Sequence, residues 1–195
     1  MTLLILGILI FLGSHLVHVV APGFRTAVIA RIGVGPWRGL YSLVSLAGLA
    51  LLVYGFGEAR AVTGMLYNPP VGLKHLTLLL MVPAMICLVA GFLPAGRIAV
   101  AVKHPQVLAV KIWALAHLLS NGETASVILF VAFLAWGVIL RISLKRRERR
   151  GEAVLPVFKS SRYDTYAIVI GLLLYALMVW RLHEWLIGVS PLPMS

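Results

Sequence analysis

Apolar runs separated by proline, glycine and charged residues constrain the fold of this 195-residue chain more than any other feature. The runs cover residues 2–20, 40–56, 75–93, 105–119, 125–140 and 166–186. A bilayer core about 30 Å thick needs roughly 20 apolar residues for each helix that crosses it. We therefore predict an all-α, polytopic transmembrane bundle of about six helices, which forms a single domain over residues 1–195.

The composition excludes several classes of soluble protein. Hydrophobic residues make up 61% of the chain and charged residues only 12%, whereas soluble domains are roughly half apolar and a quarter charged. An ordinary cytosolic enzyme and a disordered chain are both incompatible with these values. The chain contains one cysteine, Cys87, which excludes a secreted disulfide scaffold.

The run at residues 105–119 is the doubtful span, because it has 15 residues and contains Lys111. The distribution of basic residues supports its assignment as a transmembrane span. If all six runs span, the loops 21–39, 94–104 and 141–165 lie on one side and hold three, two and eight Lys and Arg residues, 13 of the 17 in the chain. Basic loops face the cytoplasm in membrane proteins. We therefore expect a multi-pass protein of the bacterial inner membrane with both termini in the periplasm.

The net charge of +11 follows from these loops and does not indicate nucleic-acid binding. Five Lys and Arg residues lie within residues 145–150 alone. Basic clusters beside a transmembrane helix are attracted to anionic lipid headgroups, by about 1 kcal/mol per charge. The expected partner is therefore the lipid bilayer and not nucleic acid.

Six histidines are the main candidates for chemistry in so apolar a chain, at positions 15, 18, 75, 104, 117 and 183. No Asp or Glu lies in the middle of a predicted span, so acid–base chemistry by paired carboxylates is not expected there. His15 and His117 lie within spans, where polar groups are costly and often functional. Neutral imidazole is the metal-binding form, so the two could be axial haem ligands; alternatively, each hydrogen-bonds a neighbouring helix.

The expected depth of these histidines leaves the second ligand open. With upright helices, His15 and His117 would lie at different depths, and His104 would match the depth of His15 better. His104 precedes Pro105 and is also a helix-capping candidate. We expect His18, His75 and His183 to be interfacial. For each iron ligand, the second ring nitrogen is expected to donate to a carbonyl or a hydroxyl group.

Four segments resemble the NnrU family of bacterial membrane proteins: GSHLV at 13–17, PWRGLYS at 36–42, KHPQ at 103–106 and WALAHLLSNG at 113–122. The resemblance covers nearly the whole chain. It implies an association with denitrification, through nitrite and nitric oxide reductase function, and reductase components as partners. The association leaves the reaction of the family itself open.

The family is also similar to 15-cis-zeta-carotene isomerase, an integral membrane enzyme that holds haem b between two histidines. By motif, this similarity places the metal ligands at His15 and His117. It implies a haem-dependent isomerase or redox protein and does not specify a carotenoid substrate. The haem propionates would then pair with basic groups, for which Arg38, Arg97 and Lys103 are the candidates.

Two other functions stay open at this point. One is a non-enzymatic helper that assembles nitrogen-oxide reductases or supplies them with electrons. The other is an S-adenosylmethionine-dependent methyltransferase, because His104-Pro105 and Glu148 resemble the isoprenylcysteine carboxyl methyltransferase group. In this sequence, Lys103 replaces the arginine of that motif, and Glu148 stands alone where the group has paired glutamates.

Overall fold

Helices dominate the computed structural model, which describes residues 1–192. The described residues contain no β-strand and show one isolated bridge, between Met65 and Glu123. The prediction of an all-α protein is therefore confirmed.

The helices have the bounds α1 Thr2–Val20, α2 Pro22–Ile32, α3 Val34–Val62, α4 Val71–Ala90, α5 Arg97–Val102, α6 Pro105–Ser120, α7 Thr124–Arg149, α8 Arg162–Leu177 and α9 His183–Ile187, with a π-helical turn Met178–Leu182 between α8 and α9. Within the described residues, five stretches are long and apolar enough to cross a membrane: α1, α3, α4, α7 and Arg162–Ile187. The remaining predicted span, α6, is apolar but has 16 residues. It is about 24 Å long at 1.5 Å per residue. A polytopic helical bundle agrees with these lengths.

Two stretches that were expected to be loops contain helices. Residues 22–32 form α2, and residues 97–102 form α5. In addition, α3 begins at Val34 and includes Pro36, although residues 36–39 were expected to precede the helix. Proline is compatible with the first turn of a helix, where its missing N–H is not needed. Pro22 and Pro36 therefore lie in the first turns of helices here and do not interrupt them.

The chain forms two compact units. Unit 1 comprises residues 1–67 and 122–143, and unit 2 comprises residues 68–121 and the chain from residue 144 onward. Helix α7 begins in unit 1 and ends in unit 2.

In unit 1, helices α1 and α3 pack in antiparallel directions through glycines. A Cβ atom at Gly7 would collide with the backbone of Leu52, and one at Gly55 would collide with the backbone of Leu4. A Cβ atom at Gly48 would lie 2.7 Å from the backbone nitrogen of Phe11. Contacts this close let the two backbones pack tightly, as small residues commonly do between membrane helices.

The end of α3 is tied to the start of α7 by polar contacts in the same unit. Arg60 Nε donates to Glu123 Oε2 over 2.8 Å, and Ser126 Oγ donates to the same oxygen over 3.1 Å. The backbone N–H and the hydroxyl of Thr124 both donate to the carbonyl oxygen of Gly64. These contacts fix the first turn of α7 and therefore the position of the side chains that follow it.

In unit 2, helix α4 packs against both α6 and α8. The buried Thr77 hydroxyl on α4 lies 2.7 Å from the carbonyl oxygen of Ala116 on α6, to which it donates. On the other side, Gly171 of α8 lies against the backbone of Ile86. Both contacts need small side chains at the crossing points.

The loops at one end of unit 2 are held by backbone hydrogen bonds. The carboxylate of Asp164 accepts hydrogen bonds from the N–H groups of Arg97 and Ile98, over 2.8 and 2.9 Å, and so caps α5. The N–H of Lys159 donates to the carbonyl oxygen of Ala95 over 2.8 Å. As a result, the segment before α8 is attached to the turn after α4.

Candidate functional site

His15 lies on α1 with its imidazole tautomer set by the backbone. Its Nδ1 donates to the carbonyl oxygen of Phe11, one turn earlier, over 2.7 Å. The Ser14 hydroxyl lies 3.3 Å from the same nitrogen and 3.3 Å from the hydroxyl of Ser45 on α3. Because Nδ1 carries the proton, Nε2 carries the lone pair that can bind a metal. His15 therefore makes the carbonyl hydrogen bond that we expected of an iron ligand.

Aromatic rings surround the His15 imidazole in unit 1. The ring centroids of Phe11, Tyr41 and Trp136 lie 4.6, 5.6 and 6.4 Å from the His15 centroid. The indole Nε1 of Trp136 is buried and has no hydrogen-bond acceptor among the described residues. A buried donor without an acceptor is rare in proteins, because its desolvation is not compensated. An ordered water or a bound group carrying an acceptor would satisfy this donor.

Arg38 lies on α3, one turn before Tyr41, and its side chain is exposed. The neighbouring Trp37 packs against Tyr41 with ring centroids 6.4 Å apart. Arg38 is thus on the same helix, close in sequence to a ring that contacts His15. Its role as a basic group near a cofactor stays a prediction.

His117 lies on α6 in unit 2, and its Nδ1 donates to the carbonyl oxygen of Trp113 over 2.9 Å. This is the same one-turn arrangement as in His15. The ring of His183 packs nearly parallel to that of His117, with centroids 6.3 Å apart and planes inclined by 21°. His183, expected to be only interfacial, is therefore a neighbour of a candidate ligand. The two residues are 66 positions apart, and nothing in their local sequence signals the contact.

His15 and His117 belong to different compact units, so their joint ligation of one iron stays a prediction. No group of three or more His, Cys, Asp or Glu side chains within the described residues could hold a metal ion. A haem needs only axial ligands from the protein, since the porphyrin supplies the other four nitrogens.

Lys103, His104 and Glu148 form a second polar cluster, in unit 2. Glu148 Oε2 accepts a hydrogen bond from Lys103 Nζ over 2.7 Å, and Glu148 Oε1 lies 3.0 Å from His104 Nε2. The Lys103 backbone has φ of 67°, an uncommon conformation for a residue with a side chain. It turns the chain from α5 into α6, so that His104 is the residue before the first turn of α6. Glu148 therefore contacts Lys103 and His104, although it has no paired glutamate in the sequence.

A cavity of about 540 Å³ adjoins this cluster. Its lining residues come from the end of α4 and the turn after it, from α5, from the start of α6 and from the segment before α8: Ala90, Gly91, Leu93, Pro94, Ala95, Ala99, Lys103, His104, Pro105, Gln106, Val107, Pro156, Val157 and Lys159. Small-molecule sites in proteins commonly have volumes of about 300–1,000 Å³. Of the expected site residues, Lys103 and His104 thus lie together at a cavity.

Comparisons with known proteins identify the family. No curated protein and no solved structure matches the chain. The resemblance to the carotene isomerase therefore stays a prediction. The family model described as "NnrU protein" matches residues 3–191, which is nearly the whole length. On this match, the chain belongs to the NnrU family of proteins.

Proposed function

We propose that this membrane protein of the NnrU family binds haem b, with His15 as one axial ligand of the iron. The observation that carries the proposal is the state of the His15 ring. Its Nδ1 is occupied by the Phe11 carbonyl group, which leaves Nε2 as the nitrogen that can donate electrons to a metal.

The surroundings of His15 fit a porphyrin in two further respects. The rings of Phe11, Tyr41 and Trp136 provide a largely apolar environment for a flat apolar macrocycle. The buried indole N–H of Trp136 provides a hydrogen-bond donor that has no acceptor among the described residues. When bound, haem b supplies one-electron redox chemistry and an iron centre for small ligands.

Basic groups of the chain would pair with the two propionates. Lys103 already forms an ion pair with Glu148, whereas Arg38 has an exposed guanidinium group on the helix that carries Tyr41. We therefore assign this role to Arg38. His117 is proposed as the second axial ligand, on the motif resemblance and on its carbonyl-bound Nδ1.

The link to denitrification gives the proposed haem a cellular role. A redox-active haem protein of the bacterial inner membrane could exchange electrons with nitrite or nitric oxide reductase components. The proposal therefore favours a redox role over an isomerase role. A haem-free protein would instead support the assembly-helper function.

An absorption spectrum tests the proposal directly. The protein is expressed with ample haem, purified in detergent and recorded in oxidised and reduced forms, with haem quantified against protein. Bis-histidine iron is expected to show a sharp Soret band and split visible bands after reduction. His15→Ala should lose the low-spin spectrum, whereas His18→Ala, a change on the same helix, should retain it. A colourless wild-type protein would overturn the proposal.

A further inference from the structure

The cavity in unit 2 has a basic lining, and no acidic side chain is among its described lining residues. Lys103, His104 and Lys159 are the basic residues of this lining. We infer that this cavity binds a small ligand, or part of a lipid, in which an anionic phosphate or carboxylate is attached to an apolar body.

The charge balance around the cavity favours an anion. Two carboxylates lie beside the lining, and both are already engaged. The oxygens of Glu148 lie within hydrogen-bond distance of Lys103 and His104. Those of Asp164 accept hydrogen bonds from the N–H groups of α5. Lys159 belongs to a different segment of the lining and adds a second basic residue. The ionised side chains of Lys103, Lys159 and Glu148 sum to one positive charge. The Lys103 side chain is 40% exposed and Lys159 is exposed, so this cationic site is open to solvent. An anionic ligand would form charge-assisted contacts with it.

The N-terminal turn of α6 also favours an anion in the cavity. Gln106 and Val107 lie in the first turn of this 16-residue helix and line the cavity, and no side chain caps the helix at this end. The N–H groups of a first helical turn have no partners within the helix, and the helix dipole favours negative charge there. The lysines and the helix end thus converge on one cavity.

The rest of the lining indicates the second part of the ligand. Leu93, Pro94, Val107, Pro156 and Val157 present apolar surface to the cavity. Sites that combine apolar walls with a few placed polar groups bind amphiphilic small molecules in preference to free ions. The ligand chemistry is therefore an anionic head on an apolar body, which either a phospholipid or a small metabolite provides.

The frame of the cavity is fixed independently of the Lys159 side chain. The backbone N–H of Lys159 bonds to Ala95, so replacement of its side chain leaves this contact intact. Lys159→Gln is therefore the informative variant. Lys145→Gln is the matched control, because Lys145 is an exposed lysine of the basic run outside the cavity lining.

The experiment has two arms, neither of which requires haem. In the first, inorganic phosphate is titrated by calorimetry into the protein in neutral detergent at constant ionic strength. In the second, native mass spectrometry compares the retention of phosphatidylglycerol and phosphatidylcholine from mixed nanodiscs. Selective retention of phosphatidylglycerol identifies a lipid headgroup as the source of the anion, whereas phosphate binding alone identifies a soluble ligand.

In whichever arm gives binding, Lys159→Gln should weaken it by about tenfold, the effect of one charge-assisted hydrogen bond. Lys145→Gln should leave it unchanged. The inference is overturned if neither probe binds, if both variants weaken binding equally, or if Lys159→Gln has no effect. Binding of S-adenosylmethionine without either anion would also overturn it and would favour the methyltransferase alternative.

Discussion

The imidazole of His104 lies 3.0 Å from the carboxylate of Glu148, although 44 residues separate the two in the chain. Glu148 belongs to the end of α7, and its side chain is 11% exposed. His104 lies between α5 and α6. The contact therefore links the end of α7 to the junction between α5 and α6, at the edge of the cavity.

Replacement of Glu148 by Gln should destabilise the protein. The change removes the carboxylate that pairs with Lys103 and His104, and we expect a loss of about 1–3 kcal/mol in the free energy of unfolding. Thermal unfolding in detergent would measure it. The matched control is Glu152→Gln, since Glu152 is exposed and its pKa is lowered by a hydrogen bond from Arg150. Equal effects of the two variants would contradict a special role for the Glu148 contact.

Replacement of Gly55 by Ala should separate α1 from α3. A Cβ atom there would collide with the backbone of Leu4, and overpacking of this kind typically costs about 1–3 kcal/mol. Gly57→Ala is the matched control, because a Cβ atom at Gly57 meets nothing within 4 Å. The midpoint of thermal unfolding should fall for Gly55→Ala only. If Gly57→Ala lowers it as much, loss of helix packing is not the cause.

Replacement of Trp136 by Phe keeps an aromatic ring beside His15 and removes the indole N–H together with one of the two fused rings. If haem binds there, the loss of one donor should weaken haem retention by about tenfold or shift its reduction potential. Haem content and redox titration would detect either change. An unchanged haem content and potential would show that the Trp136 donor does not serve the cofactor.

Cysteine labelling would test the expected orientation in the membrane. In a Cys87→Ala background, Val154→Cys introduces a thiol at a side chain that is 97% exposed, in the basic loop predicted to be cytoplasmic. Asn68→Cys places one in a loop predicted to be periplasmic. In spheroplasts, an impermeant maleimide should label position 68 and not position 154. After permeabilisation, it should label both positions. The reverse pattern would contradict the orientation inferred from the basic loops.

Apolar run length was sufficient to predict the membrane helices. Helix α1 has the predicted bounds, and α4 and α7 contain most of the predicted runs. Transfer of a helix into a bilayer depends on the sum of its own residues, which is a local property of the chain. In contrast, α2 was not predicted, because residues 21–39 were assigned to a loop, although Pro22 is compatible with the first turn of a helix.

His15, Arg38, Lys103, His104 and His117 were selected as candidates from the chain alone. The carbonyl hydrogen bonds of His15 and His117 were also expected, because a carbonyl group one turn earlier in a helix is a local contact. The tertiary contacts of these residues could not be predicted in this way. The contacts of His183 with His117, of Glu148 with His104 and of Trp136 with His15 each join residues far apart in sequence. Such contacts depend on how helices pack, which glycines such as Gly55 and Gly171 permit. Packing is a property of pairs of helices, so only the tertiary structure could decide it.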